Sequence, residues 1–416
     1  MTLERQPPPS CRLCGAGLRH TFADLGMSPP CEAYVPEDQL ACAETFHPLR
    51  VFVCEHCLLV QLPEHVSPRD VFTEYAYFSS YSDSWLAHAQ AYAGSMVQRF
   101  ELGPQSLVVE LASNDGYLLQ YFKARGIPVL GVEPAANVAR VAIDKGIPAR
   151  VEFFSRECAA AMVGDGIRAD LIVANNVFAH VPDVRGFTAG MKLLLKPRGV
   201  ITIEVPHLVR LVQGNQFDTI YHEHYSYWSF MAAVRMLADF GLTVFDVEEL
   251  STHGGSMRIY ARHAEDLSLP VGERVGELLR REEQAGFTRL DTYFAFDERV
   301  KRTKRGILSF LLEAKAAGKT IAGYGAPGKG NTLLNYCGIR TDFLDYTVDR
   351  NPYKHGRFLP GTHIPIFPPE KIRETRPDYV FILPWNLRNE ISAQLAYIRE
   401  WGGKFVVPIP EVEVLP

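Results

Sequence analysis

From residue 107 onward, short apolar runs alternate with longer amphipathic stretches. LVVEL (107–111), VLGVEP (129–134), DLIVANNV (170–177) and VITIEV (200–205) read as strands. Between them GYLLQYFKARG, AANVARVAIDKG and FTAGMKLLLKPRG read as helices. Apolar strands joined by crossover helices predict a doubly wound α/β sheet. TVFDVEEL (243–250) and GGSMRIYARH (254–263) follow as two strand-like runs joined through STHGG, a pair suited to closing that sheet with an antiparallel strand. A charged stretch, residues 275–318, reads as a solvated helix pair linking domains. It leads to a second strand–turn–helix, TIAGYGAPGKGNTLLNY (320–336).

With 416 residues, more than one core is expected. The pattern divides into a small amino-terminal domain (1–70), the doubly wound sheet (71–265) and a carboxyl-terminal Rossmann-like α/β domain with a helical linker (266–416). Hydrophobic residues make up 47% and charged residues 22%, the balance of a folded globular protein. A net charge of −5 argues against a nucleic-acid partner held by phosphate neutralisation. No apolar run reaches the length of a membrane span, and MTLERQPPPSCRLC has no signal-peptide core, so no membrane partner and a cytoplasmic location are expected.

In a reducing compartment the cysteines call for a metal reading before a disulfide one. CRLC and CEHC supply Cys11, Cys14, Cys54 and Cys57, two pairs that can take the corners of a tetrahedron around Zn2+. Four protein ligands leave no open position, so the zinc is expected to be structural. His56 reads as a surface residue, and Cys31, Cys42, Cys158 and Cys337 as small core residues.

Ligands of doubly wound sheets bind beyond the carboxyl ends of the strands. Glu110 ends the first strand, and Ser113, Asn114, Asp115 and Gly116 make the turn after it. Glu133 and Pro134 end the second, where an acid can accept hydrogen bonds from ribose hydroxyls. Asn175 and Asn176 end the run 170–177, and His180 follows it. Together they predict a cofactor site.

Two further motifs carry chemistry. QFDTIYHEHYSYWSF (216–230) places Tyr221, His222, Glu223 and His224 in a row. Histidine titrates near neutrality and can act as a base or as a polar partner for developing charge, and a neighbouring carboxylate can orient it. A loop is expected here. Gly323, Gly325 and Gly328 spell GxGxxG between a strand and a helix, with Lys329 behind them and Asp349 after a later strand. That is a context for a nucleotide pyrophosphate, and it makes an NAD-dependent nucleotide-sugar oxidoreductase the rival reading. A zinc-containing binding module is a further rival, disfavoured by the acidic balance and the two nucleotide-like sites.

The order of motifs resembles that of class I S-adenosylmethionine-dependent methyltransferases, with ELASNDGY in place of the usual glycine-rich loop and only Gly116 kept. YAYFSSYSDSWLAHA, ANNVFAHV, YHEHYSYWS, THGGSMR and GYGAPGKGNTLLNY, with the paired CxxC units, resemble the nucleotide-linked deoxysugar C-3 methyltransferases of antibiotic-sugar biosynthesis, the tetronitrose pathway among them. The resemblance covers essentially the whole chain. It implies S-adenosylmethionine as methyl donor and a TDP-linked 4-keto-2,6-dideoxyhexose as acceptor; a monomer is expected. It implies His224 as the base at C-3, Tyr221 and Glu223 as positioning neighbours, Tyr75 and His180 near the sugar, and His222 as the less certain histidine. The second glycine loop would then hold the TDP moiety, with Tyr324, Gly325, Gly328, Lys329, Asn331, Asp349 and Lys354 contributing.

Overall fold

The computed structural model describes residues 9–69 and 79–416; Tyr75 lies outside them. The chain divides into two compact units, each assembled from separate stretches. The first takes Met1–Arg19, Cys54–Leu208 and Tyr225–Thr288; the second takes His20–Val53, Val209–His224 and Arg289–Pro416.

The first unit is built on a seven-stranded sheet. Its order is Leu242–Leu250, Ser256–His263, Leu195–Pro206, Ala169–Asn175, Val108–Leu111, Val129–Val132 and Ala149–Arg150. Five neighbouring strands pair in parallel. Ser256–His263 runs antiparallel to both of its neighbours and closes the sheet as its sequence predicts. Strand order reverses beside Val108–Leu111, so the crevice at the carboxyl ends of Val108–Leu111 and Ala169–Asn175 is where a ligand fits. Val108, Leu171, Val173 and Val200 are buried against Ala89, Tyr92, Met96 and Phe122; removing each large apolar side chain from water contributes about 1.5–3 kcal/mol.

Local chemistry sets the helix starts. Ser82, Ser155, Asp183 and Ser229 accept hydrogen bonds from the amides of Trp85, Cys158, Gly186 and Ala232 at the heads of their helices. The helix read from FTAGMKLLLKPRG is shorter than expected: it spans Val184–Leu194, and the strand begins at Leu195. Pro197 has no amide to donate within a helix. Gly199 is fitted tightly enough that a Cβ there would lie 2.9 Å from the Ala169 carbonyl oxygen.

The second unit holds a six-stranded sheet in the order Ile366–Phe367, Thr347–Val348, Ile321–Tyr324, Tyr379–Ile382, Lys404–Val407 and Glu413–Leu415, with only the last pair antiparallel. This is the expected Rossmann-like α/β arrangement. The charged stretch before it corrects the reading of a merely solvated helix pair. Glu273–Gln284 belongs to the first unit and Leu290–Ala316 to the second. The longer helix buries Tyr293, Phe296, Val300, Thr303, Ile307, Leu311 and Ala314, a stripe at helical spacing beneath a charged face. Phe22 of the strand His20–Ser28 stacks on Phe296 at 4.6 Å. Among the described residues, no helix is long and apolar enough to cross a membrane.

Gly131, in the second parallel strand, bears directly on the crevice. A Cβ there would lie 2.3 Å from the Ser113 Oγ and 2.9 Å from its Cβ. Gly131→Ala therefore displaces the turn after the first strand. The expected result is about 1–3 kcal/mol lost in urea denaturation, together with a methyl-donor dissociation constant raised at least about tenfold in calorimetry; unchanged donor binding would show that Ser113 does not shape the site.

Candidate active site

The turn after Val108–Leu111 lacks two of the expected glycines but keeps a glycine-like path. Ala112, Asn114 and Gly116 have φ of 57°, 49° and 77°, all left-handed. For Ala112 this costs roughly 1–2 kcal/mol relative to a right-handed backbone, so the turn is held by its surroundings. The Asn114 amide donates to Glu133 Oε2 at 2.9 Å, and Glu133 Oε1 accepts from the Ala135 amide at 2.9 Å. The Asn114 side chain in turn accepts from the Ser79 amide at 2.9 Å. The predicted ribose acceptor is thus also the clamp between two turns, and burial raises its pKa against those hydrogen bonds.

Glu110 is 1% exposed. Burial pushes its pKa well above the carboxylate range, opposed by a hydrogen bond from Tyr117 and reinforced by the charges of Glu133 and Asp115. Its Oε2, the Ser113 Oγ, Asp115 Oδ1, both side-chain polar atoms of Asn175 and Asn176 Oδ1 are buried without a hydrogen-bond partner among the described residues. Such atoms each cost about 1–3 kcal/mol unless a ligand satisfies them. Acidic and amide groups gathered at one crevice suit a ligand with cationic, ribose and amino groups, and the residues fit S-adenosylmethionine on that ground. Asn176, like Asn114, is left-handed, with φ of 53°.

The sulfurs of Cys11, Cys14, Cys54 and Cys57 all lie within 4.8 Å of one another, with Cys11–Cys57 at 3.4 Å and Cys14–Cys54 at 3.5 Å. A tetrahedral zinc with bonds of about 2.3 Å needs sulfurs about 3.8 Å apart. The four thiols fit a closed zinc site.

Residues 221–224 form a loop. The His224 Nδ1 lies 2.9 Å from the Thr219 carbonyl oxygen. A carbonyl can only accept, so Nδ1 carries the proton and, in the neutral ring, Nε2 carries the lone pair. The Tyr221 ring lies over His224 with centroids 4.0 Å apart. His222 is buried edge-on to His47 at 5.7 Å. Glu223 accepts from the Cys31 thiol at 3.5 Å. Burial pushes the pKa of Glu223 up to about 8, helped by the charge of Glu32. Burial thus favours its neutral form.

The chain leaves this loop through a junction with the loop bearing His180. The Tyr225 and Ser226 amides both donate to the Ala179 carbonyl, at 2.8 and 3.2 Å. The peptide that follows His224 is therefore hydrogen-bonded to the peptide that precedes His180.

In the second unit, Gly325 is left-handed with φ of 88°. Gly328 opens the helix Gly328–Cys337 and lets Cys31 approach, since a Cβ there would lie 2.7 Å from its Sγ. Asp349 Oδ2 accepts from the Ala326 amide at 2.7 Å, and the Lys354 ammonium donates to the Ala326 carbonyl at 2.9 Å. Lys329 donates to Asn386 Oδ1 at 2.9 Å; burial lowers its pKa and the charge of Asp218 raises it. Asn331 is 1% exposed, with Nδ2 lacking a partner among the described residues. Tyr324 points elsewhere, its hydroxyl reaching Gln394 at 3.3 Å. The helix is tied to the loop before Tyr221, because Thr332 Oγ1 donates to the Ile220 carbonyl at 3.0 Å.

Sequence reasoning gave no role to a buried network beside the crevice. Glu204, fully buried, meets His88 Nε2 at 3.0 Å, Arg258 at 3.0 Å and Thr252 Oγ1 at 3.1 Å. Its carbonyl accepts from the Asn176 amide at 2.7 Å. Trp85 stacks on His88 and on Tyr117, at 4.9 and 6.0 Å. The available signal was a lone glutamate inside the apolar VITIEV strand.

This sheet and crevice, with a closed thiolate site, define a class I S-adenosylmethionine-dependent methyltransferase with a zinc-binding domain. Residues 11–72 match a zinc binding domain family, 85–247 a methyltransferase domain, and 251–410 the C-methyltransferase C-terminal domain. The chain is 36% identical to C-methyltransferase NovU of Streptomyces niveus over 410 residues, covering 99% of this chain and 97% of that one. It belongs to this family of C-methyltransferases. A shorter similarity, 25% over 113 residues, links it to a ubiquinone biosynthesis O-methyltransferase of Rhodopseudomonas palustris, covering 26% of this chain and 45% of that one. A solved S-adenosylmethionine-dependent methyltransferase from Clostridium acetobutylicum aligns at 12% identity and a TM-score of 0.36, over 43% of this chain and 92% of that one. The oxidoreductase reading gives way to methyl transfer.

Two outcomes follow from the site. Chelating the zinc lowers Tm by about 5 °C or more in scanning fluorimetry and restoring zinc recovers it; an unchanged Tm in metal-free protein would show that the metal does not hold the fold. Glu223 keeps a proton in the folded state that the unfolded chain releases near its ordinary pKa. Stability therefore falls as pH rises from about 4.5 to about 8. Glu223→Gln, neutral throughout, flattens that fall in urea denaturation at pH 5, 6.5 and 8; parallel curves for both proteins would overturn the assignment.

Proposed function

We propose that the enzyme transfers a methyl group to C-3 of a TDP-linked 4-keto-2,6-dideoxyhexose. The observation that carries the reading is the hydrogen bond from His224 Nδ1 to the Thr219 carbonyl. It fixes the imidazole in the Nδ1–H tautomer, whose Nε2 carries the lone pair that is assigned as the base. His224 removes the proton at C-3, and the electron pair of that C–H bond passes into an enolate whose charge rests on the C-4 oxygen. Polar side chains meet that charge, and His180, Tyr221 and Tyr75 are assigned to it. Bound S-adenosylmethionine supplies an electrophilic methyl group, which the C-3 carbon takes up. Glu110, Ser113, Asn114, Asp115, Gly116, Glu133, Pro134, Asn175 and Asn176 orient the donor, and alignment with exclusion of water supplies the remainder of the rate. His222 packs the loop.

The diphosphate is assigned to Gly325, Gly328 and Lys329 at the start of the helix Gly328–Cys337, with Asn331, Asp349 and Lys354 shaping the loop and Tyr324 behind it. Support comes from the tie between this helix and the loop that ends at His224.

His224→Asn keeps the ring's approximate size but removes the base. Methyl transfer and donor-free solvent deuterium exchange at C-3, read by NMR on a TDP-4-keto-2,6-dideoxyhexose, are both expected to fall about 10²–10⁴-fold, with S-adenosylmethionine affinity kept. Exchange at the wild-type rate would reject His224 as the base.

A further inference from the structure

We propose that Arg12, inside the first zinc knuckle, is a positioning residue for the catalytic base: it fixes the carbonyl of Tyr225, the residue bonded to His224, and so anchors the chain one peptide beyond the base. This rests on the reading of His224 as the base. It gives the zinc site a part in catalysis although the metal touches no reactant.

The connection can be traced atom by atom. Arg12 lies between Cys11 and Cys14, so a zinc ion held by those two thiolates would fix its backbone on both sides. Its guanidinium forks across two strands. Nη1 donates to the Tyr225 carbonyl and Nη2 to the Leu62 carbonyl at 2.9 Å, while the guanidinium carbon lies 5.6 Å from the centre of the Tyr225 ring. The second knuckle reaches the same place through the chain. After Cys57 it runs into the strand Val60–Gln61, which pairs with Ser226–Tyr227. Gln61, 1% exposed, ties that strand back to the first knuckle, donating to the Cys11 sulfur at 3.1 Å and accepting from the Arg12 amide at 2.9 Å.

Tyr225 is thereby held on every polar atom. Its carbonyl accepts from Arg12 and from the Leu62 amide at 3.0 Å, its amide donates to Ala179 at 2.8 Å, and its hydroxyl donates to the Val66 carbonyl at 2.8 Å. Both lone pairs of the carbonyl are used, which holds the Tyr225–Ser226 peptide, while the amide bond to Ala179 holds the adjoining His224–Tyr225 peptide. A planar fork can bridge two carbonyls at once, whereas an ammonium acts as a single point donor. A displacement of about 1 Å at a base can cost on the order of 10²-fold in rate.

The test uses Arg12→Lys in the full chain, with four readouts: zinc per chain, S-adenosylmethionine affinity by calorimetry, the split between kcat and KM, and donor-free deuterium exchange at C-3 of a TDP-4-keto-2,6-dideoxyhexose. Zinc stays bound, donor affinity and KM stay within about threefold, and kcat and the exchange rate fall together by about 10–100-fold. Exchange within about threefold of wild type in zinc-loaded Arg12→Lys overturns the proposal, as does loss of zinc, which would make Arg12 a metal-retention residue. Should Arg12→Lys fail to fold, Gln61→Leu is read by the same criteria. His224→Asn separates the two levels. Retained exchange there sinks the base assignment itself, whereas abolished exchange there with wild-type exchange in Arg12→Lys sinks only the positioning role.

Discussion

The hydrogen bond from the Tyr225 amide to the Ala179 carbonyl, 2.8 Å long, is the contact on which the rest of the site depends. It joins the peptide after His224 to the peptide before His180. Tyr225 is fully buried, so breaking the bond would leave a donor and an acceptor in a low-dielectric interior, at a cost of about 1–3 kcal/mol. Ala179 ends the turn that begins at Asn175 and Asn176, at the carboxyl edge of the seven-stranded sheet.

The local parts of this arrangement were legible in the sequence. Each CxxC pair is a single turn, and each strand–turn–helix is a run of neighbouring residues, so spacing alone predicts the sheet, the thiolate site and the turns at Glu110, Glu133 and Asn175. The glycine-poor ELASNDGY turn was harder to read, because Ala112 and Asn114 adopt a left-handed backbone that their side chains disfavour. Contacts from Glu133 and Ser79 help to impose it. Glu204 with His88 and Arg258, Gln61 with Cys11, and Arg12 with Tyr225 were not legible. Their partners are dozens to hundreds of residues apart, and nothing in the local spacing of either partner points to the other.

Linear order also conceals where the histidine loop packs. It lies in sequence between two strands of the seven-stranded sheet, yet Val209–His224 groups with the carboxyl-terminal α/β unit. The causes are specific. Phe217 packs edge-on to Tyr336 at 5.5 Å, Trp385 donates to the buried Asp218 at 2.7 Å, and Thr332 binds the Ile220 carbonyl. Burial pushes the pKa of Asp218 up to about 6, against the charge of Lys329 and the bond from Trp385. The loop is thus held by the helix that follows the second glycine motif. On the proposed reading, one unit grips the nucleotide and carries the base, so seating the diphosphate also sets the sugar carbon against His224.

The sequence suggests that Glu223 orients a neighbouring imidazole. In the structure that task falls to the Thr219 carbonyl, and Glu223 is turned to the Cys31 thiol in a setting that favours its neutral form. On the proposed reading, the substitution suits an enolate. A carboxylate against Nδ1 would hold the imidazolium strongly and hinder its release of the proton after each turnover; a neutral carbonyl fixes the same tautomer without adding charge. On that reading, an ionised Glu223 would also place negative charge in the loop that faces the enolate. Burial of that carboxyl favours its neutral form and so lessens the repulsion.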